Sequence, residues 1–104
     1  MNKIFLANSS NVLTRAEKIR GEWVITRPLE GLRINCLVAT PQGVYAGTQS
    51  GVLVSRDRGQ TWEGAGSPGV AVKSLAAHPT RPGTLFAGGK PVSLFVSRDS
   101  GGTW

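Results

Sequence analysis

One cysteine in 104 residues, Cys36, excludes an internal disulfide, so nothing in the fold requires an oxidising compartment. One histidine, His78, with no Cys/His cluster around it, leaves no ligand set of the kind zinc needs, and no metal is expected. There is no P-loop, so no nucleotide cofactor is expected either, and the expected cofactor set is none. The first apolar run, Ile4 to Ala7, is shorter than the roughly 7–15 residues of a signal-peptide core. No run approaches the ~18–20 residues of a membrane-spanning helix. The chain is therefore expected to be cytoplasmic, with no membrane span, unless a leader precedes it.

Charge is also sparse. Charged residues make up 17% of the chain, too few for the long solvated helices that Glu and Lys favour, and the net charge is +6. Its twelve Lys and Arg residues are spread from Lys3 to Arg98 without a block of like charge, which argues against a nucleic-acid footprint.

What the chain has is turns and a repeat. Fourteen glycines and six prolines punctuate a sequence that is 39% hydrophobic, enough to bury a core, and the combination points to an all-β fold. Ser55 to Trp62 (SRDRGQTW) and Ser97 to Trp104 (SRDSGGTW) share six of eight residues at a spacing of 42. Upstream, Val44 to Gly47 matches Leu85 to Gly88, and Leu37 to Pro41 matches Leu75 to Pro79. A degenerate third copy aligns Phe5-Leu6-Ala7 with Tyr45-Ala46-Gly47 and Val12-Leu13 with Val52-Leu53, each at a shift of 40. This sets Glu17 in the place of Asp57, with one extra residue before Trp23.

Within each copy, alternation predicts short strands. One is expected over Arg33 to Ala39, with Ile34, Cys36 and Val38 on one face, and its repeat over Val70 to Ala77, with Val72, Ser74 and Ala76 on one face. Further strands are expected over Val44 to Gly47, Thr84 to Gly88, Gly51 to Ser55 and Ser93 to Ser97. A fourth should begin at Trp62 and end in the linker Gly64 to Gly69. Four short antiparallel strands per roughly 40–45 residues is the period of a propeller blade. The division expected is a degenerate partial blade over 1–31, a blade over 32–69, and a blade lacking most of its last strand over 70–104.

The repeated pattern S-x-D-x-G-x-T-W is that of the Asp-box, and nearly the whole chain resembles the BNR-repeat β-propellers found among sialidase-like, sortilin-like and photosystem II assembly-factor-like proteins. The resemblance implies an incomplete β-propeller of about two and a half blades, in which the boxes are hairpin turns between third and fourth strands.

The residue types suit a turn. Asp57 and Asp99 can accept backbone N–H groups two or three residues on, while Gly59 and Gly101 allow positive φ. Ser55, Thr61, Ser97 and Thr103 bring hydroxyls to the same network, and Trp62 and Trp104 should bury their indoles beneath it. Each of these positions has a structural reason, and none is expected to be catalytic or to bind a cofactor or metal.

The sialidase likeness implies an arginine triad, a Tyr nucleophile activated by Glu, and an Asp acid/base. Leu32 to Asn35 shares only Arg33-Ile34 with the Phe/Tyr-Arg-Ile-Pro pattern. Tyr45 has Phe86 at its repeat position, which fits a core aromatic, and Cys36 has Ser74, which fits a small buried residue. His78 stands beside Pro79 in a turn, where Thr40 stands in the preceding copy.

Two and a half blades are fewer than the four or so that closed propellers need, so sheet faces should lie open to self-association. The leading expectation is a noncatalytic blade module that acts as a binding or assembly scaffold, with a protein or carbohydrate ligand. The alternative is a portion of a carbohydrate-active enzyme whose catalytic residues lie outside these residues.

Overall fold

The computed structural model describes residues 4–9, 11–66 and 70–104, with Ser9 described in its backbone alone. The expected linker Gly64 to Gly69 therefore lies partly outside the described residues. Ten strands and no helix are present among them. They are β1 (Ile4–Ser9), β2 (Val12–Ile19), β3 (Glu22–Thr26), β4 (Ile34–Thr40) and β5 (Gly43–Thr48), then β6 (Gly51–Ser55), β7 (Glu63–Gly64), β8 (Ala71–Ala77), β9 (Leu85–Lys90) and β10 (Ser93–Ser97). Among the described residues no helix is long and apolar enough to cross a membrane.

The strands form three antiparallel sheets in the orders β1-β2-β3, β4-β5-β6-β7 and β8-β9-β10. All are meanders, each strand pairing with its neighbour in sequence, and they stack face to face as successive blades of an incomplete propeller. The array does not close on itself.

Two apolar layers hold the stack. Between the first and second sheets lie Leu13, Ile34 and Ala46, with Leu6, Leu37 and Trp62 packed on them. Between the second and third lie Tyr45, Val52, Val54, Val72, Leu85 and Ala87. The second sheet is covered on both faces, which is why its strands read as near-continuous apolar runs. On β5, Ala46 belongs to one layer and Tyr45 to the other, as period-two side chains must.

The simple alternation expected for β4 and β8 does not hold. The register slips between Ile34 and Cys36, so that Ile34 pairs with Thr48 and Cys36 with Gly47, leaving Asn35 as a bulge. An inserted residue reverses the faces. Ile34 joins the first layer while Cys36 and Val38 pack on the second. The same slip between Val72 and Ser74, around Lys73, puts Val72 on the face of Leu75 and Ala77.

The degenerate copy is also shifted from the expected alignment. Leu6 pairs with Arg15 as Tyr45 pairs with Val54, a shift of 39 and not 40. Packing agrees, since a Cβ on Gly59 would meet Leu6 Cδ2 at 2.8 Å and one on Gly101 would meet Tyr45 Cε1 at 3.2 Å. Glu17 therefore does not stand for Asp57. β2 runs on to Ile19 and turns through Arg20 and Gly21, both at positive φ, into β3, so this sheet has a tight hairpin where the others have the eight-residue turn. Trp23 needs no extra residue to fall 39 before Trp62.

Candidate functional site

The two eight-residue turns carry the densest polar chemistry in the molecule, and both follow a strand that ends in a buried serine. Ser55 closes β6 and Ser97 closes β10, at 1% and 0% exposure. The Ser55 hydroxyl donates to Asp57 Oδ1 at 2.8 Å and accepts the Gly59 N–H at 2.8 Å. Asp57 Oδ1 also accepts the Thr61 N–H at 2.8 Å, and Asp57 Oδ2 accepts the Thr61 hydroxyl.

The second turn repeats this bond for bond. Ser97 Oγ donates to Asp99 Oδ1 at 2.9 Å and accepts the Gly101 N–H at 2.8 Å, while Thr103 gives Asp99 its N–H at 2.9 Å and its hydroxyl at 2.8 Å. The carboxylates thus reach four residues on, not the two or three expected. The longer reach follows from two consecutive left-handed residues inside each turn, Arg58 and Gly59 at φ 65° and 88°, and Ser100 and Gly101 at 60° and 90°. Glycine suits the second of these positions, where φ is positive and the preceding sheet packs close.

Hydrogen bonds to the ionised form hold both carboxyls well below their ordinary 3.8, at about 2. For Asp57 the Thr61 hydroxyl contributes most, followed by the Thr61 N–H and Ser55. For Asp99 the Thr103 N–H leads, followed by its hydroxyl and Ser97. Neither carboxyl is suited to donating a proton near neutral pH.

Trp62 and Trp104 are half-buried rather than sealed under their turns, and neither lies in a strand; β7 begins at Glu63. Each indole packs on the preceding sheet's layer. Trp62 Nε1 donates to Gly59 O at 3.0 Å, within its own turn, and Trp104 Nε1 to Ala65 O at 2.8 Å, across the sheets.

The turns are also fastened from outside. Tyr45 Oη donates to Ser100 O at 2.7 Å, and Arg15 Nε donates to Arg58 O at 3.0 Å. Arg58 and Ser100 are the same position of the two turns, so a side chain of the preceding sheet meets the left-handed residue's carbonyl each time. The donors occupy opposite members of equivalent cross-strand pairs, Leu6 with Arg15 and Tyr45 with Val54. Arg15 is 5% exposed, and its Nη1 also reaches Glu17 Oε1 at 3.0 Å. Nothing in its residue type or neighbours marks Arg15 in the sequence; its signal is its register, visible once the shift of 39 is known.

The remaining candidates are drawn into local structure. Tyr45 is 1% exposed, with its hydroxyl engaged as above. His78 Nδ1 accepts the N–H groups of Thr80 and Arg81, both at 3.1 Å, capping the loop between β8 and β9. Burial pushes the Cys36 thiol up, away from a reactive thiolate. Arg33 is exposed, one residue before Ile34, whose N–H bonds to Asn11 O at 2.9 Å. Among the described residues no group of His, Cys, Asp and Glu gathers to hold a metal.

A shallow cleft of about 190 Å³ lies between the β4–β5 turn and the β8–β9 loop, edged by Thr40, Pro41, His78, Thr80 and Arg81. At the other end of the inner strands, Gln49 Oε1 accepts from Asn35 Nδ2 and Lys73 Nζ, both at 3.0 Å, and Asn35 Nδ2 also bonds Val72 O. The two bulges thus serve to aim polar side chains across the sheet boundary.

No protein-family model matches the chain. It is similar to the oligoxyloglucan-reducing end-specific xyloglucanase of Emericella nidulans, at 33% identity over 69 residues. That match takes in 59% of this chain and 8% of the xyloglucanase, so the chain spans a small part of the curated relative's length.

Proposed function

We propose that this chain is a noncatalytic run of Asp-box (BNR-type) propeller blades that serves as a binding or assembly scaffold. The observation that carries the reading is the saturation of both motif carboxylates by their own turns. Asp57 and Asp99 each accept from a serine hydroxyl, a threonine hydroxyl and a threonine N–H, which explains the repeated Ser, Asp and Thr without a substrate. Rigid blades then leave the connecting loops as the variable binding surface for a protein or carbohydrate partner.

A second reading is favoured by the likeness to a xyloglucanase: the blades form part of the propeller of a carbohydrate-active enzyme whose catalytic carboxylates lie outside these residues. Both readings give the turns the same structural role.

Release of reducing ends from xyloglucan oligosaccharides, followed together with thermal unfolding, tests the scaffold reading. The expected result is no release by the chain, with lowered unfolding midpoints in Asp57→Asn and Asp99→Asn. Release that disappears in a still-folded Asp99→Asn variant overturns it.

A further inference from the structure

Each internal contact between sheets joins a back face to a front face, and both kinds of face are also left uncovered at the ends of the stack. On the back faces the Leu6/Arg15 pair and the Tyr45/Val54 pair each contain one donor, and each donor meets the left-handed carbonyl of the next sheet's turn. The equivalent pair in the third sheet is Phe86 and Val96, and neither side chain can donate. A further turn of this type packed on Phe86 would bury an acceptor with no partner. The surface that fits this face has no such turn.

The first sheet of this same chain is such a surface, because Arg20 and Gly21 make a tight hairpin in that place. The rest of its front face keeps the features of the internal contacts. Ala7 stands where Ala46 and Ala87 stand, both at 0% exposure against the preceding sheet. Trp23 stands where Trp62 and Trp104 pack on the preceding sheet, yet is 48% exposed. Phe5 beside it is 61% exposed, with ring centroids 5.5 Å apart. On the opposite end of the stack Leu94 is 72% exposed next to Phe86 and Val96.

We propose that the back face of the third sheet, built on Phe86, Leu94 and Val96, docks on the front face of the first sheet, built on Phe5, Ala7 and Trp23, of a second copy of this chain. Such a head-to-tail contact is heterologous and either closes or polymerises. Propellers close with about four to eight blades, and two copies of the three described sheets bring six together. The assembly is a ring of two chains, each using both faces. This inference stands apart from the scaffold reading and does not depend on it.

Light scattering and sedimentation of the chain over a range of concentrations test it. The expected mass is twice the 11.0 kDa of one chain. Phe86→Glu and Ala7→Trp should each raise the dimer dissociation constant by at least about tenfold. An equimolar mixture of the two variants should recover dimer, because one native Phe86 face then meets one native Ala7 face. Circular dichroism reports whether each variant keeps its strands, and Leu94→Lys gives a milder lesion on the same face. A wild-type monomer at every concentration overturns the proposal. So does a dimer that Ala7→Trp leaves intact, which would be an isologous contact, and so does an unbounded ladder of masses.

Discussion

The hydroxyl of Tyr45 lies 2.7 Å from the carbonyl oxygen of Ser100, a residue 55 positions later in the chain and held at a φ of 60°. The bond ties the second sheet to the turn of the third, and it runs from a side chain that is 1% exposed. Tyr45→Phe keeps the ring and leaves the acceptor without its donor. The expected loss is about 1–3 kcal/mol, seen as a lower urea midpoint with an unchanged slope.

Arg15 makes the matching tie between the first and second sheets through Arg58 O, and it also pairs with Glu17 on its own strand. Its removal takes the Nε donor from the Arg58 carbonyl and an ion-pair partner from Glu17. Arg15→Ala should cost about 1–3 kcal/mol in urea unfolding. Arg15→Lys should recover only part of this, because an ammonium lacks the planar fork that reaches both acceptors.

Gly59 and Gly21 separate backbone strain from packing. Both have positive φ, 88° and 83°, but a Cβ on Gly59 would meet Leu6 at 2.8 Å whereas one on Gly21 meets nothing within 4 Å. Gly21→Ala should cost about 1–2 kcal/mol from conformation alone. Gly59→Ala should cost more in the same unfolding assay, by the amount needed to displace Leu6.

The acid limb of the stability curve should belong to Asp57 and Asp99. Folding lowers both from 3.8 to about 2, so the folded state favours the ionised form. The stabilisation is fully present above the unfolded value and is lost as pH falls through the folded one, between about pH 4 and pH 2. Thermal midpoints followed by circular dichroism should be flat above about pH 5 and drop across that window. The drop should flatten in the Asp57→Asn, Asp99→Asn double variant.

Much of this architecture is legible in the residues, and the failures have physical causes. The strands Gly51–Ser55 and Ser93–Ser97 end where the sequence predicts, because the motif serine marks the last residue before each turn. Asn35 and Lys73 defeat the alternation rule, since a bulge inserts one residue and nothing in a polar side chain announces it. The degenerate copy is displaced by one residue because identities support either shift, Val12 with Val52 at 40 and Ala7 with Ala46 at 39, while packing of Leu6 on Gly59 fits one. The left-handed Arg58 and Ser100 are hidden for a similar reason: the two copies differ there, yet the backbone conformation is shared. Tyr45 is readable as core from its Phe86 counterpart, but its bond to Ser100 depends on which sheet covers it.

The central claim is that the eight-residue turns fasten one sheet to the next through a side chain of the preceding sheet. A double-mutant cycle on Tyr45→Phe and Asp99→Asn tests this most directly, because Asp99 shapes the turn whose Ser100 carbonyl receives the Tyr45 hydroxyl. The account predicts that the double variant loses less stability than the sum of the single losses, since either change alone weakens the same fastening. Strict additivity would contradict it.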